Sequence, residues 1–457
     1  MARIAVIDIG KTNAKVLVAD TETGAEEVLA RTPNTVRPDG IYTHHDAAML
    51  WDFLLKGLAL ARDVSAISVT THGASAALVD GSGNLALPIL DYEHPGPDSL
   101  GPDYDALRPP FAETGSPRLP LGLNLGAQLY WQSRAFPADF ARVRHILTLP
   151  QYWSFLLSGV AASEYTSLGC HTDLWNPVEG RFSSLVGKLG WEALFPKVAG
   201  PGHILGPILP EVARATGLPE GLPVLSGIHD SNASLVPWLG GSAPRGVIST
   251  GTWMIVMALR GRRVALDARR DLLINVNARG EPVPTARFMG GREIEELTGG
   301  QIAPAQESDI AAVLNGRLMA LPSRHPTTGP FPGLRFSWTP EPPATPGLTA
   351  VAASFYAALM GAECLGLIGA EGEIVIEGPF GANLAFLRML ATATGRPVIA
   401  AGDGAGTSLG AALLAAPGGA RALPQPVLPQ TDPRWASYAT AWKQLVQAAW
   451  EAQGRPP

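Results

Sequence analysis

Residues 6–15 read Val6-Ile7-Asp8-Ile9-Gly10-Lys11-Thr12-Asn13-Ala14-Lys15, an aspartate near the end of an apolar strand that runs into a glycine turn. Arg3 to Ile9 has the β-branched, apolar character of a buried strand, interrupted only by Asp8. A carboxylate there is costly to bury unless something pairs with it, and a hydrated Mg²⁺ is the usual partner. Gly10 lets the backbone turn sharply, and Lys11, Thr12, Asn13 and Lys15 then offer amides, a hydroxyl and cations to a phosphate. A structural hairpin whose aspartate merely ends a strand fits the same ten residues, and a short motif alone does not choose.

Composition narrows the setting. With 457 residues, 46% hydrophobic and 16% charged, the chain is expected to be globular, with large cores and two or three domains. A formal net charge of −6 and the lack of a Lys/Arg-rich run argue against a nucleic-acid or anionic-membrane partner. Cys170 and Cys364 lie far apart with no C-x-x-C motif, and the N-terminus lacks a basic-then-apolar signal. Reduced thiols and a cytoplasmic location are therefore expected. Val351–Leu367 is a strongly apolar helix candidate interrupted by Glu363.

Along the chain, strands are expected at Arg3–Ile9, Lys15–Asp20 and Glu27–Arg31, a helix at Asp46–Ala61 and a strand at Ala66–Thr70. Ala76–Val79 with the Asp80-Gly-Ser-Gly turn suggests a hairpin. Residues 94–124, rich in Pro and Gly, read as a loop, and Gln128–Phe136, Ala138–Val143 and Gln151–Ser158 as helices. After residue 223 the pattern begins again. A strand–turn with phosphate-ready chemistry thus occurs twice, about 240 residues apart, and two related α/β halves would leave a ligand cleft between them.

Four later constellations carry chemistry. Ser249-Thr250-Gly251-Thr252-Trp253 follows a strand and presents small hydroxyls and amides to phosphate, or is an ordinary hairpin. Gly227-Ile228-His229-Asp230-Ser231 opens a helix, where Asp230 is either an N-cap or a general base for a sugar hydroxyl. Glu377-Gly378-Pro379-Phe380-Gly381-Ala382-Asn383 turns from strand into the helix Leu384–Thr394; glycines admit a flat ring, and Asn383 suits a purine or ribose edge. Ala405–Ala412 opens a helix of very small residues suited to tight packing. Zinc-type clusters, a Gly-x-Ser-x-Gly elbow and a Walker A motif are absent from the sequence.

Taken in order, these motifs with Gly-Thr-Ser-Leu-Gly-Ala-Ala at 406–412 resemble the FGGY family of carbohydrate kinases over residues 3–416. His229-Asp230-Ser231, Thr250-Gly-Thr-Trp253 and Ser163-Glu-Tyr-Thr166 leading to Thr172-Asp-Leu-Trp175 are most similar to the rhamnulokinase branch. The resemblance implies two α/β domains of the actin/hexokinase (ribonuclease H-like) type with an interdomain cleft. Residues 1–242 would form the sugar-binding half with the first phosphate loop, and 243–457 the nucleotide-binding half. It implies Asp230 as catalytic base and Asp8 as the Mg²⁺ organiser. Gly10, Lys11, Thr12, Asn13, Lys15, Thr250, Gly251, Thr252, Gly378, Gly381 and Asn383 would bind ATP. His72, Gly73, Tyr92, Glu93, His229 and Ser231 would bind the sugar.

Pro379 and Phe380 stand where the family commonly has glycines, and Thr71-His72-Gly73 and Tyr92-Glu93 differ from the rhamnulose enzymes. Tyr92 and Trp253 could wall a deoxy-sugar's methyl group. The reading is ATP- and Mg²⁺-dependent phosphorylation of a small ketose, a 6-deoxy ketohexose such as L-rhamnulose or L-fuculose, by a monomer or homodimer. A pentulose or polyol kinase and a non-catalytic actin-like regulator are the alternatives.

Overall fold

The strand expected at Arg3–Ile9 forms, and both of its faces are buried. Ala5, Ile7 and Ile9 join one apolar cluster, while Ile4 and Val6 join another. Because side chains alternate along a strand, apolar residues on both faces require a layer of structure on each side of the sheet. A computed structural model describes residues 2–300, 305–402, 406–416 and 424–454, and the chain divides into two compact units. The first contains residues up to 240 together with 274–282 and the described residues 406–416; the second contains the rest.

In the first unit the main sheet runs Ile204–Pro207, Pro223–Leu225, Ala66–Thr71, Arg3–Ile9, Asn13–Asp20, Glu26–Pro33, with Ile228–His229 also paired to Ala66–Thr71. Arg3–Ile9 is antiparallel to Asn13–Asp20 and parallel to Ala66–Thr71. One face is covered by the helices Ala47–Leu58, through Leu50, Leu54 and Leu58, and Leu149–Ser158, through Trp153 and Leu157. On the other face lies the helix Thr407–Leu413, through Ala411 and Ala412. Its small residues allow tight packing, as expected: a Cβ on Gly410 would stand 1.8 Å from the Ala233 carbonyl oxygen.

Two expectations need correction here. Residues 94–124 hold the helical segments Gly96–Leu100, Gly101–Leu107 and Phe111–Thr114. Pro97 and Pro102 sit in their first turns, where proline is tolerated, and the Tyr104 hydroxyl donates to Asp173 Oδ2 at 2.8 Å. Ala138–Val143 is split. Pro137–Phe140 is a single helical turn, and Val143–Thr148 is a strand paired with Ala76–Asp80, so long-range pairing overrides the local pattern.

The second unit repeats the strand logic. Arg245–Thr250 is antiparallel to Met254–Leu259 and parallel to Glu373–Glu377, in the order Pro282–Phe288, Met254–Leu259, Arg245–Thr250, Glu373–Glu377, Val398–Gly402. The helix Pro346–Leu367 is long and apolar enough to cross a membrane, yet 78% of its most apolar window is buried within the fold. It packs with Leu384–Thr394 and Pro433–Glu451 through Phe355, Phe386 and Trp442.

Candidate active site

In the first unit the main-sheet strand ends hold most of the predicted polar residues. Asp8 shares a sheet face with Ile4 and Val6, the face covered by Thr407–Leu413, and is 9% exposed. Its Oδ2 accepts a hydrogen bond from Ser408 Oγ at 2.8 Å and lies 3.1 Å from Lys15 Nζ. The partner of the buried carboxylate is thus first a lysine and a serine. Both contacts fall on Oδ2.

The turn after Asp8 is closed by the Gly10 N–H donating to Asn13 O at 2.9 Å, and Asn34 Nδ2 donates to Gly10 O at 2.8 Å. Gly10 takes no left-handed conformation, so the sharp turn expected of it comes from this hydrogen-bonded loop. Thr12 and Asn13 are exposed at its tip. Lys11 turns away from that tip: its Nζ pairs with Asp91 Oδ1, stands 3.6 Å from Glu93 Oε2 and lies 4.5 Å above the Tyr92 ring. Its cation is therefore neutralised by the segment that carries Tyr92 and Glu93.

His72 is tied to the same strand end, its N–H donating to Ile9 O at 2.8 Å. Its Nδ1 donates to Gly73 O at 2.9 Å, leaving Nε2 a buried acceptor without a hydrogen-bond partner among the described residues. Burial pulls the His72 pKa down, as it does for His45, whose ring lies 5.2 Å away. Tyr92 packs edge-on to His72. Gly73 is required by close approach. A Cβ there would stand 2.8 Å from His229 Nε2 and 3.4 Å from Cys170 Sγ.

Gln151, on the helix Leu149–Ser158, donates to the carbonyls of Ser226 and Gly227 and fixes the turn before Ile228–His229. His229 is the N-cap residue and Asp230 the first residue of the short helix Asp230–Ala233, so the capping position expected for Asp230 belongs to its neighbour. Asn232 Nδ2 donates to His229 Nδ1 at 3.0 Å, which places the ring proton on Nε2, 3.2 Å from Asp230 Oδ1. Burial lowers the His229 pKa to about 4, so the ring is neutral near pH 7. Asp230 Oδ1 also accepts the Ser231 N–H at 2.6 Å, while Oδ2 has no contact within this unit's described residues. The Asp230 carboxyl is pushed up to about 6, chiefly by burial and further by the negative charge of Asp8, against the opposing influence of His72 and the Ser231 N–H. A carboxylate with one oxygen held and one open, and a pKa near neutrality, suits proton acceptance.

The second unit carries the remaining predicted residues. The Gly251 N–H donates to Trp253 O at 3.0 Å, and Gly251 and Thr252 are exposed at the hairpin tip. Thr250 is buried: its Oγ1 donates to Glu377 O at 2.5 Å and accepts from the Phe380 N–H at 3.3 Å. Gly381 lies in the turn after Gly378, its N–H donating to Gly378 O at 3.0 Å. Asn383 Oδ1 caps the helix Leu384–Thr394 by accepting from Phe386 N–H, and its Nδ2 donates to Ser354 Oγ at 2.9 Å. The side chain read as a purine or ribose contact is thus held by two partners in the fold. Phe380 points into the core against Phe386, and Trp253 is covered by the Arg287 guanidinium at 5.2 Å.

Gly378 has φ +83°, and a Cβ would meet Thr250 O at 2.3 Å. Gly378→Ala is expected to destabilise the protein by roughly 1–3 kcal/mol, read as a lower midpoint in urea unfolding. An unchanged midpoint would show that the turn relaxes freely.

Ser408, Asp91, Asn232 and Glu164 join these predicted residues. Ser408 stood in the small-residue run read as packing; Asp91 stood beside Tyr92-Glu93 with no signal of its own. Ala405 lies outside the described residues.

Residues 114–237 match the N-terminal domain of the FGGY family of carbohydrate kinases, and 242–423 match the domain described as carbohydrate kinase FGGY, C-terminal. The crystal structure of a carbohydrate kinase from Novosphingobium aromaticivorans is 38% identical and superposes with a TM-score of 0.89 over 98% of this chain and 100% of that one. The chain belongs to the FGGY family of carbohydrate kinases. Its fold is accordingly the two-domain actin/hexokinase-like α/β fold. Among curated FGGY relatives, L-fuculokinase of Salmonella typhi is 27% identical over 57% of each chain. Rhamnulokinase of Enterococcus faecalis is 25% identical over 55% of this chain and 52% of that one. The FGGY chain therefore spans little more than half the length of the curated relatives it matches.

Proposed function

We propose that this FGGY chain transfers the γ-phosphoryl group of ATP to a hydroxyl of a small ketose, with Asp230 as general base. The observation that carries the reading is Asp230 itself: Oδ1 is held by the Ser231 N–H with the neutral His229 ring 3.2 Å away, Oδ2 is open, and its pKa is pushed up to about 6. Asp230 Oδ2 takes the hydroxyl proton as the oxygen attacks phosphorus, and His229 keeps the carboxylate oriented. His72 Nε2 is an acceptor for a second sugar hydroxyl, and Gly73, Tyr92, Glu93 and Ser231 surround the sugar's position. The exposed amides and hydroxyls at Thr12–Asn13, and those at Gly251–Thr252 in the second unit, serve the phosphates.

Asp8 is the residue that would hold Mg²⁺. Both of its contacts fall on Oδ2, leaving Oδ1 as a hard oxygen donor, and Mg²⁺ typically takes one or two carboxylates with phosphates and water. When bound with ATP, the ion supplies neutralisation of phosphate charge.

The preferred substrates are 6-deoxy ketohexoses such as L-rhamnulose or L-fuculose, a reading supported by the fuculokinase and rhamnulokinase relatives. One buried methyl is worth about 1–3 kcal/mol, so such a sugar should exceed its hydroxylated analogue by roughly 10–200-fold in kcat/KM. Coupled ADP-release assays on L-rhamnulose, L-fuculose, L-ribulose, D-xylulose, L-xylulose and glycerol test this. Preference for a pentulose or glycerol would remove the deoxy-sugar reading and keep the kinase.

A further inference from the structure

Glu164 ends the short strand Ser163–Glu164 and is fully buried, with a relative exposure of 0%. Its carboxylate accepts four hydrogen bonds: from Thr166 N–H and Thr166 Oγ1, both at 2.6 Å, and from Ser167 N–H and Ser167 Oγ, both at 3.1 Å. Capping of the helical turn Tyr165–Leu168 accounts for the two backbone donors. It does not account for the hydroxyls, nor for what Thr166 does next.

Because the Thr166 hydroxyl gives its one proton to Glu164, its lone pairs are left to accept the His229 N–H, at 3.2 Å. The Thr166 carbonyl accepts from Asn232 Nδ2 at 3.3 Å, and the same amide group donates to His229 Nδ1. One residue therefore holds both the backbone of His229 and the amide that sets its tautomer. The ring Nε2 then lies 3.2 Å from Asp230 Oδ1 and shares a 3.4 Å contact with Cys170 Sγ.

We propose that Glu164 and Thr166 are positioning residues for catalysis: the carboxylate polarises the Thr166 hydroxyl, and Thr166 fixes the place and tautomer of His229 and so the orientation of Asp230. This rests on the reading of Asp230 as base. The four donors around the Glu164 carboxyl make it an acceptor, and they oppose the burial that raises its pKa to about 7.

The test compares Thr166→Val, which keeps shape and loses the hydroxyl, with Thr166→Ser, which keeps it. Displacing a catalytic group slightly costs about 10–100-fold, so Thr166→Val should lower kcat by that factor with both KM values within about twofold, and Thr166→Ser should recover most of it. Glu164→Gln puts an NH₂ where two hydroxyls and an amide donate and should follow Thr166→Val. If that variant fails to fold, the Thr166 pair still decides.

Spectra of ¹⁵N-histidine-labelled protein give a readout independent of turnover. The His229 ring ¹⁵N shifts should match the wild type in Thr166→Ser and differ in Thr166→Val, which loses the hydroxyl that holds the His229 backbone N–H. Wild-type His229 ¹⁵N shifts in the valine variant, equal kcat losses in the valine and serine variants, or wild-type kcat in the valine variant would each overturn the proposal. Normal turnover in Asp230→Asn would instead overturn the base assignment, leaving the ¹⁵N shifts to be read separately.

Discussion

Asp230→Asn is expected to lower kcat by about 10²–10⁴-fold while ATP still binds, the range associated with loss of a general base. Asparagine keeps the size of the side chain and an oxygen for the Ser231 N–H, so the fold around it should survive. What it lacks is a basic oxygen at the Oδ2 position. The pH profile of the wild type should report the same group. With the Asp230 pKa raised to about 6 by burial, the base is ionised above that pH and protonated below it, so kcat should fall on the acid side of about pH 6. The acid limb should vanish from the residual activity of the asparagine variant. Near-normal turnover in Asp230→Asn would move the base elsewhere.

Asp8→Ala should raise the Mg²⁺ concentration needed for half-maximal rate by roughly tenfold or more at fixed ATP, because Mg²⁺ draws on few protein carboxylates and this is the one at the strand end. The substitution also leaves Lys15 without its 3.1 Å partner and Ser408 without its acceptor. Asp8→Asn separates the two effects, since it keeps an oxygen for Ser408 while removing the charge. Sugar affinity, measured with ATP saturating, should change little in either variant. An unchanged Mg²⁺ midpoint and rate in both would discard the metal role.

Legibility in the sequence followed range along the chain. Where neighbouring residues decide the outcome, sequence and structure agree: the apolar run Arg3–Ile9, the hairpin after it, and the helix Leu384–Thr394 form as expected. Where partners are distant, the two differ. Lys11 and Lys15 look alike in sequence as phosphate cations, yet one pairs with Asp91, 80 residues away, and the other with Asp8. Residues 94–124 look unstructured by composition, and become helical through anchors such as Tyr104 on Asp173.

The sequence by itself determined the continuous apolar run that buries both faces of the strand Arg3–Ile9, the placement of Asp8 beside a turn, and the adjacency of His229 and Asp230. These depend on backbone period, turn chemistry and covalent neighbourhood. Only the tertiary structure decided that Ser408, 400 residues from Asp8, donates to it, and that Thr166 holds His229. It also decided that Asn383 caps a helix and braces Ser354 rather than standing free. A side chain's donors and acceptors are satisfied by whichever groups packing brings within about 3 Å, and in a close-packed interior those groups come from segments that no local pattern connects.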